Sequence, residues 1–97
     1  MMLVVVAYDV STESDAGRKR LRKVAKVCEG VGQRVQNSVF ECLVDAAQWT
    51  KLRARLIHEA ELEEDSLRFY FLGDNWQRRI EHMGAKAGYD PQGPLVI

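Results

Sequence analysis

The segment Leu3-Val-Val-Val-Ala-Tyr8 constrains the fold more than any other stretch of the chain. It is rich in β-branched residues and does not alternate apolar with polar positions, the pattern of a strand covered on both faces. Such a strand needs helices on one side of its sheet and a second cover on the other. A chain of 97 residues holds one domain, expected to span residues 1–97, with one core to serve every purpose. The simplest second cover is therefore another copy of the chain, and a small chain gains most from such a partner.

Downstream, Ser11-Thr-Glu-Ser-Asp15 offers several N-caps and leads into a helix expected over Ala16 to Val31, with Leu21, Val24, Cys28 and Val31 as its apolar stripe. Gly30 and Gly32 are expected to stop it. Two short strands follow, Gln33 to Gln36 and Ser38 to Val44, around a tight turn at Asn37-Ser38. Asp45 and Gln48 read as a capping box for a second helix with Trp49, Leu52, Leu56 and Ala60 on one face. In Ser66 to Leu72, Leu67, Phe69 and Phe71 alternate with Arg68 and Tyr70, and Gly73 closes the strand. The order is βαββαβ, an α+β chain in which two helices cover one face of a four-stranded antiparallel sheet, the ferredoxin-like arrangement. Residues 1–73 form this core. Residues 74–97 form a C-terminal extension whose Leu95-Val-Ile97 suits a short strand added to a sheet edge.

Hydrophobic residues at 46% and charged residues at 29% place the chain among globular domains. The apolar start ends at Tyr8-Asp9, well short of a signal or membrane segment, so a cytoplasmic, membrane-free protein is expected. Cys28 and Cys42 sit among apolar positions and read as core thiols. The formal net charge is zero, which argues against indiscriminate coating of nucleic acid, yet the charges are segregated. Arg18, Lys19, Arg20, Arg22, Lys23 and Lys26 form a run without an acid, whereas Glu59 to Asp65 carries acids and no base.

Asp9 stands where a buried strand emerges into a serine-rich loop, suited either to capping that loop or to binding a hard cation through oxygen. A single carboxylate is thin for phosphodiester hydrolysis, but two subunits meeting near Asp9 would bring two. The basic run is either a solvated helix face or a set of sequence-independent phosphate contacts. Arg34, beside apolar neighbours, pairs with a carboxylate or reaches a phosphate. Phe40 is a core residue or a stacking platform for a base. Trp49 reads as core, Trp76 as a subunit contact, and His58 and His82 as surface residues without ligand spacing. No GxxxxGK[ST], GxGxxG or GxSxG string occurs, and the glycine-rich aromatic string of RNA-recognition modules is missing.

Taken together, Val4-Val-Val-Ala-Tyr-Asp-Val10, Arg34-Val-Gln-Asn-Ser-Val-Phe-Glu41 and Arg68-Phe-Tyr-Phe-Leu72 resemble the CRISPR-associated endonucleases of the Cas-two family, the smaller of the two spacer-acquisition proteins. The closing Gly88-Tyr-Asp-Pro-Gln-Gly-Pro-Leu95 is similar to members from type I, subtype C. The resemblance implies a ferredoxin-like homodimer packed through its sheets, with the strand around Leu95 to Ile97 crossing to the partner. It implies a magnesium-dependent endonuclease, with manganese as a substitute ion, acting on single-stranded RNA or double-stranded DNA. On that reading Asp9 holds the metal, and Tyr8, Arg34 and Phe40 join it as catalytic candidates. Arg18, Lys19, Arg22, Lys23, Lys26, Arg34 and Ser38 are the nucleic-acid-binding candidates. Arg18, Arg20 and Arg22 compete for the family's helix-one arginine, and Arg22 is preferred. The resemblance also implies a partner, the larger integrase of the Cas-one family, and with it a second reading: a non-catalytic bridge that binds duplex DNA between integrase copies. A toxin-like ribonuclease on the same fold is a third.

Overall fold

A computed structural model describes residues 1–84. Strand β1 (Met2–Asp9) is followed by helix α1 (Asp15–Glu29), the hairpin β2 (Gly32–Gln36) and β3 (Val39–Val44), helix α2 (Ala46–Glu59), strand β4 (Ser66–Gly73) and a 3-10 turn at Trp76–Arg79. The sheet runs β2-β3-β1-β4 with every neighbouring pair antiparallel. This is the expected α+β, ferredoxin-like βαββαβ fold. The expected strand at Leu95 to Ile97, and the Gly88 to Leu95 string, lie outside the described residues.

Both helices begin on side-chain caps. Ser14 Oγ accepts from the Gly17 amide at 3.0 Å, which satisfies one of the free N–H groups at the start of α1. At α2, Asp45 accepts from the Gln48 amide at 2.7 Å while the Gln48 side chain accepts from the Asp45 amide at 2.9 Å, completing the capping box. Helix α1 ends at Glu29, earlier than its apolar spacing suggests. Val31 therefore lies in the turn, 37% exposed, and Val27 takes its place in the core beside Val24 and Cys28. Gly30 caps the helix with ordinary right-handed geometry (φ −68°). Gly32 matters for another reason: a Cβ there would meet Cys42 Sγ at 2.5 Å.

The alternation of β1 sends Val4, Val6 and Tyr8 toward the helices, where they join Phe40, Cys42, Val44, Leu52 and Leu56 in the core. Each such side chain contributes about 1.5–3 kcal/mol by leaving water. The other face of β1 is only partly covered. Leu3 is fully buried, yet Val5 and Ala7 are half-exposed. Trp76, expected at a subunit contact, is instead buried within the chain and lies, like Leu3, outside the helix-side cluster. Part of the missing cover thus comes from the segment after β4, which packs back on that strand.

Strand β4 keeps the expected alternation with one departure. Leu67 and Phe69 pack against the core, but Phe71 is 58% exposed although its register opposite Val4 puts it on the helix face. It sits on an edge strand, touched edge-on by the half-buried Trp49 at 5.5 Å. A register shift in the β1–β4 ladder falls at Leu3/Val4. No helix among the described residues is long and apolar enough to cross a membrane.

Candidate functional site

Adjacent residues of a strand point to opposite faces, so Tyr8 and Asp9 part company at the end of β1. Tyr8 is buried on the helix side. Its amide donates to the Ser38 carbonyl at 3.0 Å and its hydroxyl donates to the Asn37 carbonyl at 3.3 Å, which ties the β2–β3 turn to β1. Its ring stacks with Phe40 at 6.2 Å, and the Arg34 guanidinium lies 5.0 Å from the centre of the Phe40 ring. Burial, with the charges of Cys28 and Glu29 adding to it and Arg34 opposing it, raises the Tyr8 hydroxyl above the ordinary tyrosine range. Tyr8 is therefore a neutral donor near pH 7. Arg34 also pairs with Glu29 at 3.1 Å, the carboxylate pairing that its sequence setting allowed. Phe40 is fully buried. Of its two possible roles the structure shows the core one: the ring supports Arg34 and presents no face to a base.

Asp9 is exposed and lies opposite Ser66 across the β1–β4 ladder. With Ala7, Ser66, Arg68 and Tyr70 it lines an open cavity of about 530 Å³. Arg68 Nη1 donates to the Tyr70 hydroxyl at 3.3 Å, so the cavity carries one carboxylate on one strand and a guanidinium on the next. Among the described residues no three His, Cys, Asp or Glu side chains gather as a metal cage. Magnesium asks for less than a cage: it keeps several waters and takes one or two carboxylates together with substrate phosphates. Asp9 fits that limited role, as one carboxylate of an ion completed by phosphate oxygens or by a second subunit.

Helix α1 divides its cations. Arg18 pairs with Asp15 and donates to the Thr12 carbonyl at 3.0 Å. Arg20 is held by Glu64 at 3.1 Å and Asp65 at 2.9 Å. Lys19, Arg22, Lys23 and Lys26 are exposed, and among the described residues none of them forms an ion pair. These four make a cationic stripe directed away from the core, whereas the half-buried Ser38 lies in the β2–β3 turn, where its carbonyl accepts from the Tyr8 amide. Asp9 is the last residue of β1 and points to the opposite sheet face from the Tyr8, Phe40 and Arg34 stack, so the structure gathers three of the expected site residues and leaves the fourth across the sheet, with Tyr8 alone of the three also lining the Asp9 cavity. Sequence reasoning missed Arg68 as a cavity residue and the Arg20–Asp65 pair. The only signal for the pair was the opposite charge of two distant blocks.

Residues 2–80 match the family described as CRISPR associated protein Cas2. The chain is 58% identical over 96 residues to the CRISPR-associated endoribonuclease Cas2 of Nitratidesulfovibrio vulgaris, covering 99% of this chain and 94% of that protein. It is 62% identical over 96 residues to the CRISPR-associated endoribonuclease Cas2 of Chlorobaculum tepidum, covering 99% and 100%. The crystal structure of Streptococcus pyogenes Cas2 at pH 6.5 superimposes with a TM-score of 0.75 and 58% identity, over 86% of this chain and 100% of that one. A match across most of the described fold, joined to near-full-length identities above one half, leaves one assignment: the chain belongs to the Cas2 family of CRISPR-associated proteins.

Proposed function

We propose that the chain is a magnesium-dependent endonuclease of CRISPR adaptation, acting as a cytoplasmic homodimer that takes part in the integration of new spacers with the larger integrase. The observation that carries this reading is the exposed Asp9 carboxylate, set by β1 at the rim of an open cavity and free of any ion pair among the described residues. Relatives named endoribonucleases support RNA as a substrate, with duplex DNA as the other. Hydrolysis of a phosphodiester forms a bond from water oxygen to phosphorus and breaks the bond to the leaving oxygen. Asp9 would hold magnesium, or manganese in its place, and the bound ion supplies neutralisation of the charge that develops on phosphate. Lys19, Arg22, Lys23 and Lys26 bind the backbone without reading bases. Arg34, steadied by Phe40 and Tyr8, is placed to contribute a further phosphate contact once it leaves Glu29.

The test compares the chain with Asp9→Asn on labelled single-stranded RNA and duplex DNA, with and without magnesium. The substitution keeps the size of the side chain and removes its charge. Cleavage is expected to fall by about 100-fold or more while dimer mass, fold and duplex affinity stay constant. Cleavage by the variant at the wild-type rate overturns the assignment. The unpaired cations of α1 favour one second reading, a non-catalytic bridge between integrase copies, because duplex binding by that stripe needs no Asp9. If neither protein cleaves and both support spacer integration, the bridge is the function.

A further inference from the structure

Behind the cavity that carries Asp9, a buried carboxylate ties three separate segments together. The Asp65 side chain is 0% exposed. Its Oδ1 accepts from the Ser11 amide at 3.0 Å and from Arg20 Nη2 at 3.2 Å. Its Oδ2 accepts from Arg20 Nε at 2.9 Å and from the Glu61 amide at 2.9 Å. A buried ionised carboxylate is tolerated only when its oxygens are satisfied, and here both oxygens are. The three segments joined are the loop after β1, helix α1 and the loop before β4.

Ser11 is held through its amide and packs closely against α1 at its carbonyl. Asp65 takes its N–H, and its carbonyl oxygen lies so close to α1 that a Cβ on Gly17 would approach it to 1.9 Å. Between Asp9 and Ser11 stands Val10, a core residue 7% exposed. On the sheet side, Asp9 lies opposite Ser66, which directly follows Asp65. The backbone on both sides of the candidate metal-holding carboxylate is thus fixed by neighbours of one ion pair.

We infer that Asp65 and Arg20 form a positioning clamp that sets the direction in which the loop after β1 leaves the sheet, and so how Asp9 is presented to the scissile phosphate. The inference rests on the proposed nuclease reading for its effect on catalysis. Its structural half, the anchoring of Ser11, stands separately. It also assigns Arg20 to the protein's interior framework and removes it from the set of phosphate contacts. Of the three competing helix-one arginines, only Arg22 then remains free of a carboxylate among the described residues.

The test uses the full chain with Asp65→Asn, which keeps the shape and breaks the ion pair, and Arg20→Lys, which keeps the charge and loses the fork. Amide hydrogen exchange at Val10 to Thr12 and steady-state cleavage of RNA in magnesium are measured for each. In Asp65→Asn the Ser11 amide is expected to exchange about ten-fold faster or more, because its acceptor is loosened. On the same variant kcat should fall about ten-fold with KM within two-fold of wild type, the mark of a misplaced rather than missing group. Arg20→Lys, which keeps a cation beside Asp65, should show only a small part of either loss. Unchanged Ser11 exchange overturns the clamp, as does a rise in KM with kcat intact. If Asp65→Asn does not fold, Arg20→Lys against Arg20→Met carries the same comparison. If the wild-type chain itself cleaves nothing, the nuclease reading fails, and Ser11 exchange alone then decides for or against the clamp.

Discussion

Asp65 and Asp9 are both acids beside a strand end, yet their surroundings differ: Asp65 is buried and paired, whereas Asp9 is exposed and forms no ion pair among the described residues. Hydrogen bonds from Arg20, and then from the Glu61 and Ser11 amides, outweigh burial and hold the Asp65 carboxyl below the ordinary aspartate range. A folded-state value below the unfolded one favours the fold wherever the unfolded carboxyl is ionised, and that contribution disappears as pH falls through the folded value. The window therefore opens below roughly pH 4, the value of an unfolded aspartate. Denaturant unfolding of wild type and Asp65→Asn across that range is expected to show the stability gap narrowing as pH falls, and a gap independent of pH contradicts the pairing. Cys28 and Cys42 respond to burial in the other direction: both thiols are pushed up to about 12, which keeps them neutral core residues and matches their apolar sequence setting.

The elements were legible in the sequence because their causes are local. The Asp45 and Gln48 pair and the Asn37-Ser38 turn each depend on residues at most a few positions apart, and each falls where spacing puts it, while Ser14 is the cap the structure selects from the several that Ser11 to Asp15 offered. Asp45→Ala is expected to cost about 1 kcal/mol in urea unfolding, the usual worth of an N-cap. What the sequence withheld was contact across distance. Arg20 and Asp65 stand 45 positions apart, and nothing in a run of six bases tells which one turns inward. The early end of α1 was hidden for a related reason, since Val27 and Val31 both suit the apolar stripe and only packing against the sheet selects Val27. With Arg18 and Arg20 engaged, the proposed duplex binding would fall to the four cations that form no ion pair among the described residues. Charge reversal of Arg22 and Lys26 together should weaken duplex affinity and make the log–log salt dependence shallower by about 0.9 for each phosphate that is no longer neutralised. An unchanged slope in a filter-binding titration would leave α1 as a solvated face.

At the scale of the whole molecule, the sheet is unequally dressed. Its helix side is covered by α1 and α2 except at the edge, where Phe71 of β4 stays 58% exposed, while on the other side Val5 and Ala7 are half-exposed and Tyr70 is 46% exposed. An edge strand with exposed aromatics is a ready site for strand addition unless something covers it. Among the described residues, the 3-10 turn at Trp76–Arg79 packs on β4 and buries Trp76. On the proposed homodimer, a second copy would cover the remaining apolar surface and would also bring two Asp9 carboxylates within one assembly. Each carboxylate would repel the other until a cation lay between them, so metal affinity should depend on dimerisation. Light scattering at micromolar concentration is expected to give twice the 11.1 kDa chain mass. Removing Leu95 to Ile97 should shift the population toward monomer and weaken magnesium-dependent cleavage in the same proportion. A monomeric full-length chain that still cleaves would separate the two properties, and Asp9 would then have to work alone.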